Sequence, residues 1–318
     1  MALILELAGQ AVQMFLVLAI APLVLGVTRK VKARLLRRIG PPVFQPYFDL
    51  WKLMHKEAVL AHNASWLYRA APYCVFAVTW VAAALVPTFA TGLMFSWSAD
   101  LIAIVALLAT GRFALALAGM DVGTAFGGIG SSREMMIASL AEPAMLLIVF
   151  TVALIAGTTQ LSSIAENFVT GDVGLRVSLG LALFAFVFVA IAENARIPID
   201  NPATHLELTM VHEAMVLEYS GRHLAMIEAA AALKLVLYFS LLSCLFFPFG
   251  MAMTDRRPSA LAIGIATYLA KLFVLAVLLP AGELMIAKMR VFRYPIFLGG
   301  AFAAAALAVF LLFVSQGF

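Results

Sequence analysis

The chain has 318 residues, of which 64% are hydrophobic and 12% are charged, and its formal net charge at pH 7 is +4. Soluble globular domains have roughly 45–50% apolar and about 25% charged residues, so this composition excludes a water-soluble domain and indicates an integral membrane protein. The two cysteines, Cys74 and Cys244, each lie alone in an apolar run, and the sequence contains no CxxC, no Cys/His cluster and no HExxH. Because iron–sulfur, nickel and zinc sites need clustered Cys or His ligands, we expect the chain to bind no cofactor or metal. Any redox chemistry is then expected in another polypeptide.

Runs of apolar residues long enough to cross a bilayer follow one another along the whole chain. About 20 predominantly apolar residues span the hydrocarbon core, and eight such runs are present. They lie near 8–27, 68–88, 100–119, 136–157, 176–193, 227–249, 259–282 and 296–315. Open strands cannot satisfy their backbone groups in lipid. We therefore predict an all-α, polytopic transmembrane helix bundle of about eight spans, forming a single integral membrane domain over residues 1–318.

The lysine and arginine residues outside these runs are distributed unevenly among the loops. The loops after the first, third, fifth and seventh runs contain most of them: Arg29, Lys30, Lys32, Arg34, Arg37, Arg38, Lys52, Lys56, Arg133, Arg196, Arg222, Lys288, Arg290 and Arg293. The opposite loops hold only Arg176, Arg256 and Arg257. Since loops rich in Lys and Arg stay in the cytoplasm, we predict that the odd loops are cytoplasmic and that both termini face outside. The basic cluster behind the first run is interpreted as a topological anchor, because no soluble domain surrounds it to hold a nucleic acid.

The first cytoplasmic loop contains a predicted amphipathic helix over residues 43–58, after the break at Gly40-Pro41-Pro42. Its apolar face recurs at helical spacing and consists of Phe44, Tyr47, Phe48, Trp51, Met54 and Ala58. Its polar stripe consists of Gln45, Asp49, Lys52 and Lys56. A helix with this pattern lies in the membrane interface. It can anchor the loop in lipid or seat a peripheral subunit, and the sequence leaves both interpretations open.

A second long cytoplasmic loop, over residues 192–227, concentrates polar and titratable residues. They are Glu193, Arg196, Asp200, His205, Glu207, His212, Glu213, Glu218, Arg222 and His223. We predict a helix from Ala203 to Ser220, between Pro202 and the terminating Gly221. His205 and His212 would share a face of that helix, but no third ligand falls at a supporting spacing, so a metal site is disfavoured. The remaining alternatives are a solvated helix and a docking surface for a partner.

Several charged residues fall inside the apolar runs, where insertion of one charge costs roughly 2.5–3.5 kcal/mol. They are Arg112 in the third run, Glu142 in the fourth, Glu193 at the end of the fifth, Glu228 and Lys234 in the sixth, and Lys271 and Glu283 in the seventh. Glu193, Glu228 and Glu283 lie near run ends, where interface water is an alternative surrounding. Glu142, Lys234 and Lys271 lie too deep for that, which leaves a packing pair or a polar path through the bundle. Acids and bases in low-dielectric surroundings can exchange protons near neutral pH, so the pattern predicts a proton relay.

A glycine-rich stretch precedes the fourth run, with Gly127, Gly128 and Gly130 directly before Ser131-Ser132-Arg133-Glu134. No strand precedes it, so it is not a nucleotide-binding fingerprint. We predict a tight cytoplasmic turn in which Ser131 or Ser132 caps the fourth span and Glu134 completes a capping box.

Three loop segments resemble the signatures of the complex I membrane subunit that abuts the quinone chamber. The first runs from Arg38-Ile-Gly-Pro41 through Phe44-Gln-Pro-Tyr-Phe-Asp49 to Lys52-Leu-Met-His-Lys-Glu57. The other two are Ala192-Glu-Asn-Ala-Arg-Ile-Pro-Ile-Asp200 and Leu217-Glu-Tyr-Ser-Gly221, and Glu142 lies where that family keeps a span-four glutamate. The resemblance covers nearly the whole chain in order.

Departures from the complex I pattern point to one branch of this family. The first loop is shortened between Pro41 and Phe44, and residues 201–215 replace an acid-rich stretch. Together with Gly127-Gly-Ile-Gly-Ser-Ser-Arg-Glu134 and Lys288-Met-Arg-Val-Phe-Arg293, these features are similar to the homologous subunit of group 4 membrane-bound nickel–iron hydrogenases, of the formate hydrogenlyase and hydrogenase-4 type. Loss of the usual acids disfavours a quinone site.

The resemblance implies a membrane-anchoring, proton-conducting subunit that docks a peripheral redox arm and holds no redox centre of its own. The implied partners are a hydrogenase large subunit with the nickel–iron centre, a small subunit with iron–sulfur clusters, antiporter-like membrane subunits and the lipid bilayer, with no nucleic acid. The implied location is the bacterial cytoplasmic (inner) membrane. The alternatives are the quinone-proximal subunit of NADH:quinone oxidoreductase and a free-standing ion transporter, although no internal repeat supports the latter.

Two groups of candidate site residues follow from these expectations. The proton-path candidates implied by the resemblance are Glu142, Glu193, Glu213, Glu218 and Glu228. Lys234 and Lys271 are predicted to extend the path along the bundle. The candidates for partner docking are Arg38, Gln45, Asp49, Lys52, Arg133, Glu134, Arg196, Asp200, His205 and His212.

Overall fold

A computed structural model of the protein describes residues 2–171, 176–200, 210–253, 257–286, 289 and 293–316. Within these ranges the chain forms helices and loops, and its extended pairings are limited to isolated bridges. The α-helices in chain order are α1 (Ala2–Leu35), α2 (Gln45–Met54), α3 (Trp66–Leu85), α4 (Leu101–Asp121), α5 (Ala125–Ala156), α6 (Leu161–Thr170), α7 (Val177–Glu193), α8 (His212–Val216), α9 (Gly221–Phe246), α10 (Pro258–Met285) and α11 (Tyr294–Gln316). The predicted all-α class is confirmed.

Seven helices of the described chain are long and apolar enough to cross a membrane, namely α1, α3, α4, α5, α9, α10 and α11. The apolar helix α7 is shorter, with 17 residues. At 1.5 Å per residue it is about 25 Å long, close to the hydrocarbon thickness of roughly 30 Å. The predicted bundle of about eight spans is confirmed.

The spans differ strongly in how much of their surface the bundle covers. In α9, 72% of the most apolar 18-residue window is buried, whereas the corresponding value for α10 is 22%. Helix α9 packs against α1, α2 and α3, while α11 packs against α5 and α7. Helix α10 lies at the periphery and packs mainly on α1. Side chains that project from α9 are therefore the ones most completely removed from lipid.

The glycine-rich stretch is helical, so the prediction of a turn capped by Ser131 or Ser132 is wrong. Helix α5 begins at Ala125, and the Oγ1 of Thr124 accepts the hydrogen bond from the N–H of Gly127. Inside the helix, the hydroxyl of Ser131 donates to the carbonyl oxygen of Ala116 in α4, at 2.8 Å. A Cβ on Gly127 would lie 2.1 Å from the carbonyl oxygen of Gly119. The glycines thus permit the backbones of α4 and α5 to touch, as small residues do between membrane helices.

The amphipathic helix of the first loop is present as α2, which is shorter than the predicted range 43–58. Its Pro46 is buried against α1 and α9. Its exposed apolar side chains form one stripe and are Phe44, Phe48, Trp51 and Met54. On the polar side, the side-chain amide of Gln45 donates to Asp49 at 2.8 Å.

The fifth loop contains less helix than the predicted range 203–220. Within the described residues only His212–Val216 is helical, and residues 201–209, including His205 and Glu207, lie outside the description. The predicted helix does not continue to Ser220. Helix α8 ends at Val216, Ser220 is extended, and Gly221 has a φ of +54°. The Oγ of Ser220 accepts from the N–H of Val59 and donates to its carbonyl oxygen, at 2.8 and 3.0 Å. This exchange joins the end of the first loop to the start of α9.

Helix α6, between α5 and α7, is absent from the predicted elements. It is short and amphipathic, with Leu161, Ile164 and Ala165 buried. On its other side the hydroxyl of Thr91 donates to Glu166 at 2.7 Å. A search for runs of about 20 apolar residues passes over a helix of 10 residues that is half polar.

Candidate functional site

The side chain of Arg112, inside the membrane-spanning helix α4, is surrounded by three carboxylates. Its Nε lies 3.6 Å from Oε1 of Glu134, and its Nη1 lies 3.4 Å from Oε1 of Glu142. Its Nη2 donates to Oε1 of Glu193. Arg112 is buried, with 7% of its surface exposed. A buried guanidinium is costly without partners, and its five N–H donors suit several carboxylates at once.

Lys234 of α9 completes this group. Its Nζ lies 2.9 Å from Oε2 of Glu193, so the two oxygens of Glu193 face different cations. We call Arg112, Glu134, Glu142, Glu193 and Lys234 the Arg112 cluster. If every member is ionised, the cluster has one more negative than positive charge. Excess negative charge in a low-dielectric site favours the uptake of a proton.

Four helices place these five side chains. Glu134 and Glu142 are eight residues apart on α5, which puts them two turns apart on one helix face. Glu193 is the last residue of α7. Arg112 follows Gly111, where a Cβ would lie 3.0 Å from a methyl of Val78 in α3. The missing side chain at position 111 lets α4 and α3 approach beside the cluster.

A cavity of about 80 Å³, here the inner cavity, lies beside the Arg112 cluster. Its polar lining consists of Thr79, Arg112, Glu134, Glu193, Asn194, His212 and Lys234. A site with polar partners needs only about 10–15 Å³ of such volume to hold one water. The inner cavity therefore has room for several water molecules in contact with the charged groups.

A larger cavity of about 420 Å³, here the outer cavity, lies between α1, α10, α9 and the fifth loop. Its titratable lining consists of Arg29, Lys32, Arg38, Arg196, Asp200, His212, Glu213, Glu228 and Glu283. Within it, Glu283 lies 2.6 Å from the Nζ of Lys32 and 3.7 Å from Nη1 of Arg196. Burial lowers the pKa of Arg196, and the carboxylate of Glu283 acts in the opposite direction. The ion pairs tie α1 and α10 to the fifth loop.

A third cavity of about 340 Å³ lies between α1, α2 and α9. Its apolar lining comes from Pro22, Leu25, Pro46, Leu50, Leu53, Leu224 and Ala232, and its charged lining from Arg29, Asp49, Lys52, Lys56 and Glu228. Arg29 and Glu228 also line the outer cavity. The two cavities are therefore neighbours at the same end of the bundle.

Comparison with known proteins identifies the family. A family model described as NADH dehydrogenase matches residues 9–314. The chain belongs to this family. It is 34% identical over 298 residues to hydrogenase-4 component C of Escherichia coli (strain K12), covering 93% of this chain and 92% of the relative. It is 31% identical over 297 residues to formate hydrogenlyase subunit 4 of the same strain, covering 93% and 95%. The predicted resemblance is confirmed.

The chain is also similar to family members and solved structures that carry other names. NADH-quinone oxidoreductase subunit 8 of Rhodothermus marinus is 30% identical over 219 residues, covering 66% of this chain and 62% of the relative. Among solved structures, a chain of the membrane-bound sulfane sulfur reductase, an archaeal respiratory membrane complex, superposes with a TM-score of 0.77. That pair is 20% identical and covers 98% and 99% of the two chains, which shows a common fold.

The predicted proton-path residues of this family member fall into four places. Glu142, Glu193 and Lys234 belong to the Arg112 cluster, and Glu213 and Glu228 line the outer cavity. Glu218 is exposed outside both cavities. The Nζ of Lys271 donates to the carbonyl oxygen of Phe247 at the end of α9, at 2.6 Å, and is not part of the cluster.

The predicted docking residues are similarly divided. Arg38 and Lys52 are exposed, and Gln45 and Asp49 lie on the polar side of α2. Four of the other five described residues are turned inward: Arg133, Glu134, Asp200 and His212. Arg196, the remaining described residue, joins Glu283 in the outer cavity. His205 lies outside the described residues.

Two members of the Arg112 cluster, and Glu283 of the outer cavity, are missing from the predicted proton path. The sequence marks Arg112 and Glu283 only as charges inside apolar runs, and it assigns Glu134 to docking. The spacing of Glu134 from Glu142 is the sequence signal that could have grouped the two residues, because positions eight residues apart lie on the same face of a helix. The predicted start of the fourth span at residue 136 hides this signal, whereas α5 begins at Ala125. Across the described residues no group of three or more His, Cys, Asp or Glu side chains suits a metal ion.

Proposed function

We propose that the chain is the membrane-anchoring, proton-conducting subunit of a group 4 nickel–iron hydrogenase complex of the formate hydrogenlyase type. The observation that carries this proposal is the Arg112 cluster, a five-residue charged network inside a membrane bundle. The cluster adjoins the inner cavity, which shares part of its lining with the outer cavity and that cavity's further acids. Charged groups inside membranes are costly and are characteristic of ion and proton pathways.

The charge of the cluster supports a role in proton transfer. Three carboxylates share two cations, so the network gains from binding one proton and can release it again when a neighbouring charge changes. Glu193 lies between Arg112 and Lys234 and has a 3% exposed side chain. Glu142, with a 38% exposed side chain, lines a separate groove between α4 and α5. The cluster thus extends from the inner cavity to a second surface of the bundle.

Similarity to known subunits supports the hydrogenase branch. The matches to hydrogenase-4 component C and formate hydrogenlyase subunit 4 each cover 93% of the chain. The match to NADH-quinone oxidoreductase subunit 8 covers 66%. In this proposal a partner large subunit carries the nickel–iron centre and a small subunit carries iron–sulfur clusters. This chain contributes the proton path and the seat for the redox arm, beside antiporter-like membrane subunits.

The seat for the redox arm is assigned to the end of the bundle that contains α2 and the fifth loop. This end presents Arg38 and Lys52 together with the exposed apolar stripe of α2. The distribution of basic residues supports a cytoplasmic location for this end, with both termini outside a bacterial inner membrane. The partner would cover the openings of the outer cavity and of the cavity between α1, α2 and α9.

A second candidate function is that of the quinone-proximal subunit of an NADH:quinone oxidoreductase. The cavity between α1, α2 and α9 favours this second candidate. Its volume of about 340 Å³ falls in the size range of small-molecule sites, and its lining has an apolar wall and a polar end. The two candidates differ in the metal that the complex contains and in the acceptor that it reduces.

The experiment that separates them is purification of the intact complex in mild detergent, followed by metal analysis and assays of hydrogen evolution and quinone reduction. The proposal predicts stoichiometric nickel and hydrogen evolution. Quinone-dependent turnover by a complex without nickel would establish the second candidate instead.

A further inference from the structure

The inner and outer cavities meet at a wall made of four residues. Asn194, Ala195, His212 and Ala231 line both cavities. Of these four residues, only His212 has a side chain whose ring nitrogens can accept and donate a proton. Glu213, Glu228 and Glu283 line the cavity on one side of the wall, and Arg112, Glu134, Glu193 and Lys234 line the cavity on the other side.

His212 is held in this wall from several directions. It is the first residue of α8, and the N–H of the preceding Val211 donates to the buried carboxylate of Asp200 at 3.1 Å. A guanidinium N–H of Arg133 in α5 donates to the carbonyl oxygen of Met210 at 2.8 Å. Both contacts hold the same peptide unit, Met210–Val211, one from its N–H and one from its carbonyl oxygen, directly before the peptide unit that leads into His212.

Glycines bring α8 against α4 and α5. A Cβ on Gly130 would lie 2.9 Å from the carbonyl oxygen of Val211, and a Cβ on Gly119 would lie 3.2 Å from the side chain of Met215. Larger residues at either position would push α8 away from the bundle. The close contact keeps the start of α8 in the wall between the cavities.

Charged groups from several elements line the two cavities that meet at His212. On the inner side they are Arg112 of α4, Glu134 of α5, Glu193 of α7 and Lys234 of α9. On the outer side they are Arg29, Lys32 and Arg38 of α1 and the following loop, Arg196, Asp200 and Glu213 of the fifth loop and α8, Glu228 of α9 and Glu283 of α10. Arg133 of α5 lies beside the backbone before α8.

We infer that His212 transfers protons between the outer cavity and the Arg112 cluster, an inference that rests on the proposed proton-conducting function. One ring nitrogen accepts a proton from water in the outer cavity, and the other nitrogen releases one to water or to Glu193 in the inner cavity. Reorientation of the neutral ring then restores the starting tautomer. Protons are conserved in each cycle, and no oxidant or reductant takes part. This assignment replaces docking as the role of His212.

The test uses the intact complex in proteoliposomes, with proton transfer and hydrogen evolution measured together. His212→Gln keeps a polar side chain of similar reach but cannot take part in proton transfer near neutral pH. We expect its proton transfer rate to fall about 100-fold, in the range that general acid–base groups contribute. His62→Gln is the matched control, because His62 is exposed and lines neither cavity, and its rate should match that of the unmodified complex.

Rescue by added imidazole separates proton transfer from a structural role. The outer cavity is large enough to admit imidazole, which should restore a substantial part of proton transfer to the His212→Gln complex and leave the His62→Gln complex unchanged. A full rate in His212→Gln, or a loss that imidazole does not restore, would overturn the inference.

A parallel Glu193→Gln variant identifies which claim has failed. If Glu193→Gln loses proton transfer while His212→Gln retains it, the role of His212 is refuted and the proposed function stands. If both variants retain the full rate, the proton path through the Arg112 cluster is refuted as well.

Discussion

Lys234 and Glu193 come from different membrane-spanning helices, and their charged atoms lie 2.9 Å apart in the interior of the bundle. The other oxygen of the same carboxylate accepts from Arg112 of α4. Glu193 of α7 is therefore joined by ion pairs to α4 and to α9. Its position makes it both a structural link and the centre of the proposed proton path.

Because Glu193 links three helices, two substitutions of it should differ in their effect on the stability of the folded complex. Glu193→Gln keeps one oxygen that can accept from Arg112 but loses the charge that pairs with Lys234, so it should destabilise the folded complex less than Glu193→Ala does. Glu193→Ala leaves the two cations without their shared partner, and breaking a buried ion pair in this way costs about 3–5 kcal/mol. Unfolding of the detergent-purified complex measures the difference. Equal stabilities of the two variants would show that Glu193 does not link the helices.

Arg112 should be essential for the stability of the cluster. Arg112→Met leaves Glu134, Glu142 and Glu193 with Lys234 as the remaining cation, and a loss of about 3–5 kcal/mol is expected for a buried network deprived of one partner. Arg69→Met is the matched control, since Arg69 also lies in a membrane-spanning helix but is exposed. Its effect should stay within about 0.5 kcal/mol. Similar unfolding midpoints for the two variants would contradict the burial of a charge network around Arg112.

The junction between the first loop and α9 should depend on the absence of a side chain at Gly221. Gly221→Ala introduces a Cβ 2.4 Å from the carbonyl oxygen of Glu57, at a φ of +54°. Gly123→Ala has a similar positive φ of +72° but meets open space. Both changes carry the backbone cost of about 1–2 kcal/mol for a left-handed residue. Only Gly221→Ala should also push the first loop away from the start of α9.

Limited proteolysis of residues 55–65 reports that separation. Faster cleavage in Gly221→Ala than in Gly123→Ala is expected. Cleavage at equal rates would show that the contact with Glu57 does not hold the first loop in place.

The ion pair between Lys32 and Glu283 should contribute measurable coupling between α1 and α10. Glu283 has a 3% exposed side chain and Lys32 a 21% exposed one, so the pair is shielded from solvent. A double-mutant cycle with Lys32→Met and Glu283→Gln should give an interaction energy of about 0.5–3 kcal/mol, typical of residues in one network. Additive effects would mean that Arg196, 3.7 Å from Glu283, is sufficient to hold the carboxylate.

The fold was largely predictable from the sequence, because the physical constraint behind it is local. A span needs about 20 apolar residues, and each run found in the sequence contains a helix of the bundle. The boundaries were less predictable where sequence signals conflict. Gly127, Gly128 and Gly130 indicated a turn, yet they lie inside α5, where close contacts require a small residue at Gly127 against α4 and at Gly130 against the start of α8.

The candidate site was only partly predictable. The costs of burying Glu142 and Lys234 mark them as candidate functional residues from sequence alone. Their partners depend on how α4, α5, α7 and α9 pack, which no local pattern contains. Glu193 and Glu283 lie near helix ends, where interface water was an equal alternative, and the structure instead buries both among cations. His212 likewise gains its position from the contacts of α8 with Asp200 and Arg133.

The most direct test of the central claim is proton transfer by the intact complex carrying Glu193→Gln, measured in proteoliposomes beside Glu166→Gln. Glu166 lies on α6, outside the cluster and both cavities, and a glutamine there can still accept from Thr91. The account predicts loss of proton transfer in Glu193→Gln with an assembled complex, and an unchanged rate in Glu166→Gln. An unchanged rate in Glu193→Gln would contradict a proton path through the Arg112 cluster.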